Sequence, residues 1–168
     1  SSAEVSIETC VNSEDVNIYR QLAGGVTSAQ ILHGSANPIG GQSAIIKFRW
    51  GASPQAMMFD AAPPFIKFAL GENVKQSNWG DSRTVRFPQT RMGVEQVFVD
   101  GFTRAKKYSE QRALEQVKKD WELEALAEIL KSKRFITCHS YQQGEINMLM
   151  HVADSFGFTV NTFTHILE

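Results

Sequence analysis

Residues 135–165 read FITCHSYQQGEINMLMHVADSFGFTVNTFTH and carry the clearest secondary-structure pattern of the chain. Its first residues, Phe135–Cys138, are apolar or β-branched and predict a strand. Glu145–Phe156 shows the apolar spacing of a helix, and Gly157 is typical of the residue that follows a helix. Phe158–Phe163 predicts a second strand. A strand, a helix and a strand in this order predict a right-handed crossover between two parallel strands, and so an α/β fold class.

A histidine follows each of these strands. His139 comes after the first strand and His165 after the second. The carboxyl ends of neighbouring parallel strands lie at one edge of a sheet about 4.8 Å apart, so the two imidazoles can converge on a metal ion. The alternative is that each histidine is a hydrogen-bonded loop residue. Two histidines are in any case an incomplete set, since a catalytic zinc usually takes three protein ligands and water.

Two residues are candidates for a further ligand. Phe65–Leu70 predicts a strand, Glu72 stands just past it, and Lys67 lies in its middle. The alternative for Glu72 is a carboxylate that stabilises a turn or a helix start. The alternative for Lys67 is a side chain whose aliphatic part is covered while its ammonium group reaches water. The residues themselves leave these alternatives open.

Upstream of these segments, the pattern predicts a helix, a strand, a loop and a hairpin. In chain order these are Glu14–Ala23, Val26–Leu32, His33–Gln42, and the pair Ser43–Trp50 with Gln55–Phe59. Gly24 and Gly25 end the helix, as glycines do at a C-terminal cap. Helix, double glycine and strand form half of an α/β repeat. His33 stands at the end of the predicted strand, where it either lines a pocket or stabilises the turn.

Between the strand candidates lies a long connection. Lys75–Pro88 is polar and rich in turn residues, which predicts a loop. Gly93–Lys131 is the longest helical region. Its charged middle part, Tyr108–Asp120, is either an exposed continuation of the helix or a break in it.

Composition limits the classes of partner. The chain has 168 residues and a net charge of -1, which suits one domain and offers no electrostatic basis for binding nucleic acid or an anionic membrane. No apolar run is long enough to span a bilayer. Cys10 and Cys138 are too far apart to form a CxxC unit, and Cys138 is expected to be a buried structural thiol. The length is short for a closed eight-stranded α/β barrel, which takes about 250 residues.

Five short motifs, spread over nearly the whole chain, resemble one family. They are LAGGVT at Leu22–Thr27, HGSANPIGGQ at His33–Gln42, ALGEN at Ala69–Asn73, CHSY at Cys138–Tyr141 and THILE at Thr164–Glu168. Together they resemble the amidohydrolase superfamily, and within it the imidazolonepropionase-related amidohydrolases. The resemblance implies a (β/α)8 barrel with one or two divalent metal ions, zinc being expected, at its carboxyl face. It also implies hydrolysis of a small amide or cyclic amide by metal-activated water.

The same resemblance implies roles for particular residues. His139 and His165 would be metal ligands from the fifth and sixth barrel strands, and Glu72, or a carbamylated Lys67, would be the ligand from an earlier strand. Three residues are expected to line the pocket: His33, Asn73 and Tyr141. Residues 1–168 are then a central fragment of the catalytic barrel, from about strand 2 to strand 6. This is an incomplete TIM-type barrel of parallel strands and crossover helices.

The chain departs from the family pattern at both ends. No His-x-His pair of a first strand precedes Val26, and the aspartate of an eighth strand, the expected general base, would lie beyond Glu168. The isolated chain is therefore expected to show little or no hydrolase activity and to associate with itself through exposed sheet edges. One alternative is a non-catalytic α/β binding or assembly domain. Another is a flavodoxin-like domain, although no phosphate-binding loop is present.

Overall fold

The computed structural model describes residues 1–82, 85–114 and 117–167. In these ranges the strands are β1 Ser28–Ile31, β2 Ile39–Lys47, β3 Phe65–Ala69, β4 Phe135–His139 and β5 Thr162–Thr164. The helices are α1 Val16–Ala23, α2 Pro54–Met57, α3 Glu72–Lys75, α4 Arg91–Ala113, α5 Trp121–Leu130 and α6 Gln143–Phe156. Short 3-10 turns occupy Ile7–Cys10 and Gly80–Ser82. Three parts of the sequence predictions lie outside the described residues: 83–84 of the predicted loop, 115–116 of the charged segment and Glu168 of the last motif.

The five strands form one sheet in the order β1-β2-β3-β4-β5. The pairs β3–β4 and β4–β5 are parallel, which confirms the crossover predicted from residues 135–165. The expectation of parallel barrel strands holds only for these two pairs, because β1–β2 and β2–β3 are antiparallel. Only residues 32–38 connect β1 to β2, and a crossover between parallel strands needs a dozen residues or more. The fold is therefore mixed α/β.

The predicted hairpin is right only in part: Met58 of its second arm pairs antiparallel with Ile46 of β2, and the backbone N–H of Phe59 donates to the carbonyl oxygen of Ile45, but the residues before Met58 form no strand. Residues Pro54–Met57 form α2 instead of a strand, because Ser53 caps the helix by accepting a hydrogen bond from the backbone N–H of Ala56 at 3.3 Å. Proline at the first helical position favours the same start. The regular hairpin of this region is formed by β1 and β2. Strand β2 begins at Ile39, inside the segment predicted as a loop.

The long helical region consists of two helices. Helix α4 continues through Tyr108 to Ala113, and α5 begins after its N-cap Asp120, whose carboxylate accepts from the backbone N–H of Leu123. Tyr108 is buried, and its hydroxyl donates a hydrogen bond of 2.6 Å to Glu124. The charged segment therefore contains both a helical continuation and a break. Within the described ranges no helix has the length and apolar character that crossing a bilayer requires.

The last βα unit follows its prediction, except that β5 starts late. Helix α6 ends at Gly157, which adopts the left-handed conformation with φ 74°. Strand β5 begins only at Thr162. Phe158, the predicted first residue of this strand, is buried and stacks on Phe102 of α4, with ring centroids 4.2 Å apart. Its side chain packs into the helix layer, so the chain joins the sheet several residues later.

The two faces of the sheet differ in polarity. Side chains alternate along a strand, and on β3 and β4 one set joins the buried apolar core with the helices, Phe68 packing on Phe98 with ring centroids 5.3 Å apart. The other set includes Lys67, Thr137 and His139. The sheet curls as in half of a barrel, and Gln30 of β1 reaches Thr137 of β4 across the concave face. The concave face is thus polar and the convex face carries the helices.

Candidate functional site

The two predicted histidines meet at the carboxyl edge of β4 and β5. His139 ends β4 and pairs in register with Thr164, so that His165 follows directly beside it. The two imidazole centroids are 5.2 Å apart with the rings inclined at 64°. His139 is buried and His165 is exposed. His165 has φ 60°, an uncommon conformation for a residue other than glycine.

The environment of His139 favours its neutral form. Burial lowers the pKa of its imidazole, and the positive charges of Lys67 and His165 lower this pKa further. An imidazole binds a metal ion through the lone pair of a neutral ring nitrogen. At neutral pH His139 therefore presents the form that coordination needs.

Two of the predicted pocket residues contact His139. The amide nitrogen Nδ2 of Asn73 lies 3.4 Å from Nε2 of His139. An amide NH2 group only donates, so this contact fits an imidazole whose Nε2 carries the lone pair. The ring of Tyr141 meets the His139 ring edge-on, with centroids 4.6 Å apart. Asn73 and Tyr141 together fix the orientation of the buried imidazole.

Lys67 lies on the concave face near His139. It is only 4% exposed, so the alternative of an ammonium group in open water does not describe it. Burial lowers the pKa of its amine, an effect that the nearby Cys138 thiol partly opposes. In the described part of the chain no carboxylate lies within 4.0 Å of its ammonium group. Lys67 is therefore a buried amine whose uncharged form is favoured relative to an exposed lysine.

Glu72 lies elsewhere. It is exposed in the first turn of α3 and lines a pocket together with Tyr141. Across the described ranges, no three His, Cys, Asp or Glu side chains gather as a metal site. Of the two candidates for a further ligand, the fold thus brings Lys67, not Glu72, into the neighbourhood of His139.

His33 follows β1, and its ring packs closely against two glycines of β2, Gly40 and Gly41. Its Nδ1 lies 2.9 Å from the carbonyl oxygen of Gly34. A Cβ atom on Gly40 would lie 3.1 Å from Nδ1 of His33 and 2.8 Å from the carbonyl oxygen of Lys67, and a Cβ on Gly41 would lie 2.9 Å from Cδ2 of His33. Since β1 and β3 are both antiparallel to β2, His33 stands at the same edge of the sheet as His139. At this edge the contact of its ring nitrogen with the carbonyl oxygen of Gly34 stabilises the turn that follows β1.

The sequence did not reveal a cluster of ion pairs around one buried carboxylate, that of Glu145. Glu145, in the first turn of α6, is 5% exposed. Its Oε1 accepts from Nζ of Lys75 at 3.0 Å and from Nε of Arg91 at 3.1 Å, and Arg91 also donates to the side-chain oxygen of Gln142. These partners are 70 and 54 positions away from Glu145 in the chain. No local spacing pattern could have revealed them.

The donors at the sheet edge fit part of a divalent-metal site. Two adjacent imidazoles, one of them held neutral, supply two of the three protein ligands that a catalytic zinc usually takes. The remaining position would fall to an oxygen donor or to a modified Lys67. This chemistry agrees with a metal ion at the carboxyl edge.

The chain is similar to two proteins called amidohydrolases. It is 31% identical over 166 residues to Amidohydrolase tasK of Hapsidospora irregularis, a match that covers 85% of this chain and 17% of tasK. It matches a solved structure of an amidohydrolase from Thermotoga maritima MSB8 with a TM-score of 0.83 and 34% identity, over 95% of this chain and 42% of that one. No protein-family model matches the chain.

Both similarities support the amidohydrolase family for this chain. The chain spans less than half the length of either relative, 17% of one and 42% of the other. The part of the motif-based expectation that names amidohydrolases is thus supported, and the narrower relation to imidazolonepropionases stays a prediction.

Proposed function

We propose that this chain, a relative of amidohydrolases, is part of a metal-dependent hydrolase that cleaves a C–N bond in a small amide or cyclic amide. The observation that carries the proposal is the contact between His139 and His165 at the carboxyl edge of two parallel strands. Active sites of (β/α)8 barrels lie at this edge. Residues 1–168 would form the part of such a barrel from about its second to its sixth strand.

The residues that would hold one or two divalent ions, with zinc as the first candidate, are His139 and His165 together with Lys67 or Glu72. Lys67 is the better supported of the last two, because burial favours its neutral amine, and only a neutral amine reacts with carbon dioxide to form a carbamate. A bound divalent ion supplies Lewis acidity and lowers the pKa of water.

The neighbours of the histidine pair would orient the site. Asn73 and Tyr141 hold the His139 ring on two sides, and Thr164 supports the adjoining strand end through its hydroxyl, which donates to the carbonyl oxygen of Cys138 at 3.3 Å. Rigid placement of ligands by their neighbours is a general requirement of metal sites. His33 would line the rim of the same pocket from β1.

The second candidate function is a non-catalytic α/β binding or assembly module. The observation that favours it is that the described residues bring no third His, Cys, Asp or Glu side chain to the histidine pair. Such a module would keep the curled sheet and bind no metal. Metal binding therefore separates the two functions.

The test is metal content, measured by elemental analysis on protein purified without added metal and again after incubation with zinc and removal of the excess. The unmodified chain and a His151→Ala control, whose histidine is exposed on α6, should carry near-stoichiometric metal. His139→Ala and His165→Ala should each lose it. An unmodified chain that binds no metal after zinc incubation contradicts a metal site in this chain and favours the binding module.

We also propose that the chain associates with itself. β1 and β5 are the edge strands of the described sheet, and unpaired strand edges are templates for pairing with another chain. Light scattering at micromolar concentration should show a mass above that of one chain. A single monomeric species would refute the association.

A further inference from the structure

A second pocket lies directly beside the histidine pair. It has a volume of about 380 Å³ and is lined by residues from the connections after β3 and β4 and from the start of α4, among them Gly71, Glu72, Lys75, Arg91, Tyr141 and Glu145. This volume lies within the range of roughly 300–1,000 Å³ that is usual for small-molecule sites. Tyr141 contacts His139 through its ring and also lines this pocket. The two sites are thus neighbours that share one side chain.

One carboxylate oxygen in this pocket lacks a partner. Glu145 is 5% exposed, and its Oε1 receives both Lys75 and Arg91. Its Oε2 is fully buried and has no hydrogen-bond donor among the described residues. A buried carboxylate oxygen without a donor lowers stability, because it has lost its hydrogen bonds to water and gained none in the protein. A ligand that donates a hydrogen bond at this point would remove that cost, and it reaches the oxygen when the Gly71 backbone or the Tyr141 ring beside it shifts.

Glycine at position 71 leaves the space beside this oxygen open. Gly71 has φ 84°, a conformation that residues with a Cβ rarely adopt, and a Cβ there would lie 3.6 Å from Oε2 of Glu145 and 3.5 Å from the Tyr141 ring. The backbone can therefore pass close to the carboxylate without a side chain filling the gap.

The same pocket also offers cationic donors. Arg91 uses Nε and Nη2 for Glu145 and Gln142, its Nη1 makes no hydrogen bond within the part of the chain that the structure describes, and its side chain is 61% exposed. Lys75 makes one ion pair through an ammonium group that has three N–H donors. Glu72 adds an exposed carboxylate at the rim. Two positive and two negative groups thus line one space.

We propose that this pocket binds a small zwitterion, a molecule with an ammonium group and a carboxylate a few bonds apart, as in a free amino acid. The ammonium group would donate to Oε2 of Glu145 and face Glu72, and the carboxylate would accept from Arg91 and Lys75. A ligand with a single charge is disfavoured, because a cation alone meets two cationic side chains and an anion alone meets two carboxylates. The proposal does not depend on hydrolysis or on a metal ion.

The test is a titration of the full chain without metal, followed by ¹H–¹⁵N NMR at the backbone amides of Gly71, Glu72 and Glu145. The probes are glycine, 3-aminopropanoate and 4-aminobutanoate, with acetate and methylammonium as ligands of one charge. At least one zwitterion should bind with a Kd about tenfold or more below those of acetate and methylammonium, a difference of roughly 1.4 kcal/mol. Equal affinities, or no response to any zwitterion, would overturn the proposal.

A matched pair of variants tests the position of the ligand. Arg91→Gln removes the cationic donor at the pocket, whereas Arg104→Gln removes another partly exposed arginine of α4 whose partner is Glu122 at 3.6 Å. Binding should weaken about tenfold or more in Arg91→Gln and stay unchanged in Arg104→Gln. If Arg91→Gln does not fold, Glu72→Gln carries the same test from the exposed rim. Unchanged binding in a folded Arg91→Gln or Glu72→Gln variant overturns the proposal. Weaker binding in the Arg104→Gln control would show that the ligand does not bind in this pocket.

Discussion

The side chains of Gln30 and Thr137 are hydrogen-bonded across the concave face, with Nε2 of Gln30 3.2 Å from Oγ1 of Thr137. Their strands, β1 and β4, are separated in the sheet by β2 and β3. In a flat sheet, strands three places apart would lie about 14 Å from each other. A direct contact between their side chains therefore requires the strong curl, and the bond in turn ties the N-terminal hairpin to the parallel part of the sheet.

Replacing Thr137 by valine should lower the free energy of unfolding. The substitution keeps the shape but leaves the partly buried amide of Gln30 without this partner, at an expected cost of about 0.5–1.5 kcal/mol. Urea unfolding measures the change. Ser43→Ala is the control, because the buried hydroxyl of Ser43 has no partner among the described residues; its removal breaks no hydrogen bond there and should leave the free energy of unfolding unchanged or raise it. Equal losses in both variants would mean that the bond contributes nothing.

Gly40→Ala should destabilise the chain because the new Cβ has no space. It would lie 2.8 Å from a backbone oxygen, that of Lys67, and 3.1 Å from the His33 ring. Since backbone gives way less easily than a side chain, we expect a loss of roughly 1–3 kcal/mol. Gly144→Ala on α6 meets nothing within 4 Å and should be neutral or stabilising by up to about 1 kcal/mol. Thermal unfolding gives the melting temperature of each variant. A Gly40→Ala protein as stable as the unmodified chain would show that the backbone of Lys67 and the ring of His33 can move to make room for the new Cβ.

The stability of the metal-free chain should depend on His139 at mildly acidic pH. Its pKa in the folded state is lowered, by burial first and by the charges of Lys67 and His165 next, so the unfolded chain binds the proton more readily. The contribution of His139 to stability is therefore complete above the ordinary histidine pKa of about 6.5 and is lost as the pH falls through the lowered value. Unfolding with a chelator present, between about pH 5 and 8, should give a steeper pH dependence for the unmodified chain than for His139→Gln. Parallel curves would show that His139 does not contribute.

Lys67→Met should raise the melting temperature by a few degrees. Burial disfavours the ammonium form of Lys67 and lowers the pKa of its amine in the folded chain. Keeping this amine protonated at neutral pH therefore lowers the free energy of unfolding, whereas the uncharged methionine side chain of similar length has no such cost. Lys131→Met, at an exposed position after α5, is the control and should change the free energy of unfolding by less than about 0.5 kcal/mol. A lower melting temperature for Lys67→Met would show that the amine has a stabilising partner in solution. If Lys67 is a metal ligand, the same variant should also bind less zinc.

The C-terminal part of the fold was predictable because its signals are local. Gly157 marks the end of α6 through a conformation that glycine adopts easily. The placement of His139 beside His165 followed from one rule of parallel sheets, and the ring contact of 5.2 Å agrees with it. The buried role of Cys138 followed from the apolar strand around it, and the thiol is fully buried.

The other features could not be predicted, because they depend on contacts between residues that a local sequence pattern does not show. Gln55–Phe59 has apolar spacing that suits a strand, but the Ser53 cap made Pro54–Met57 helical. The choice between Lys67 and Glu72 needed the direction of each side chain. The Glu145 cluster joins side chains of three helices, α3, α4 and α6, that lie far apart in the chain. Such long-range pairs become visible only when the chain is folded.

The connection between β3 and β4 has a consequence for the order in which the sheet assembles. Strands β1 and β2 pair across residues 32–38, whereas β3 and β4 pair across residues 70–134, which hold α3, α4 and α5. Closing a short loop is fast, and pairing of strands distant in sequence is slow, because the chain entropy is lost before the contacts form. The antiparallel hairpin should therefore form early, and the parallel strands that carry the histidine pair should join only when the helices between them have docked.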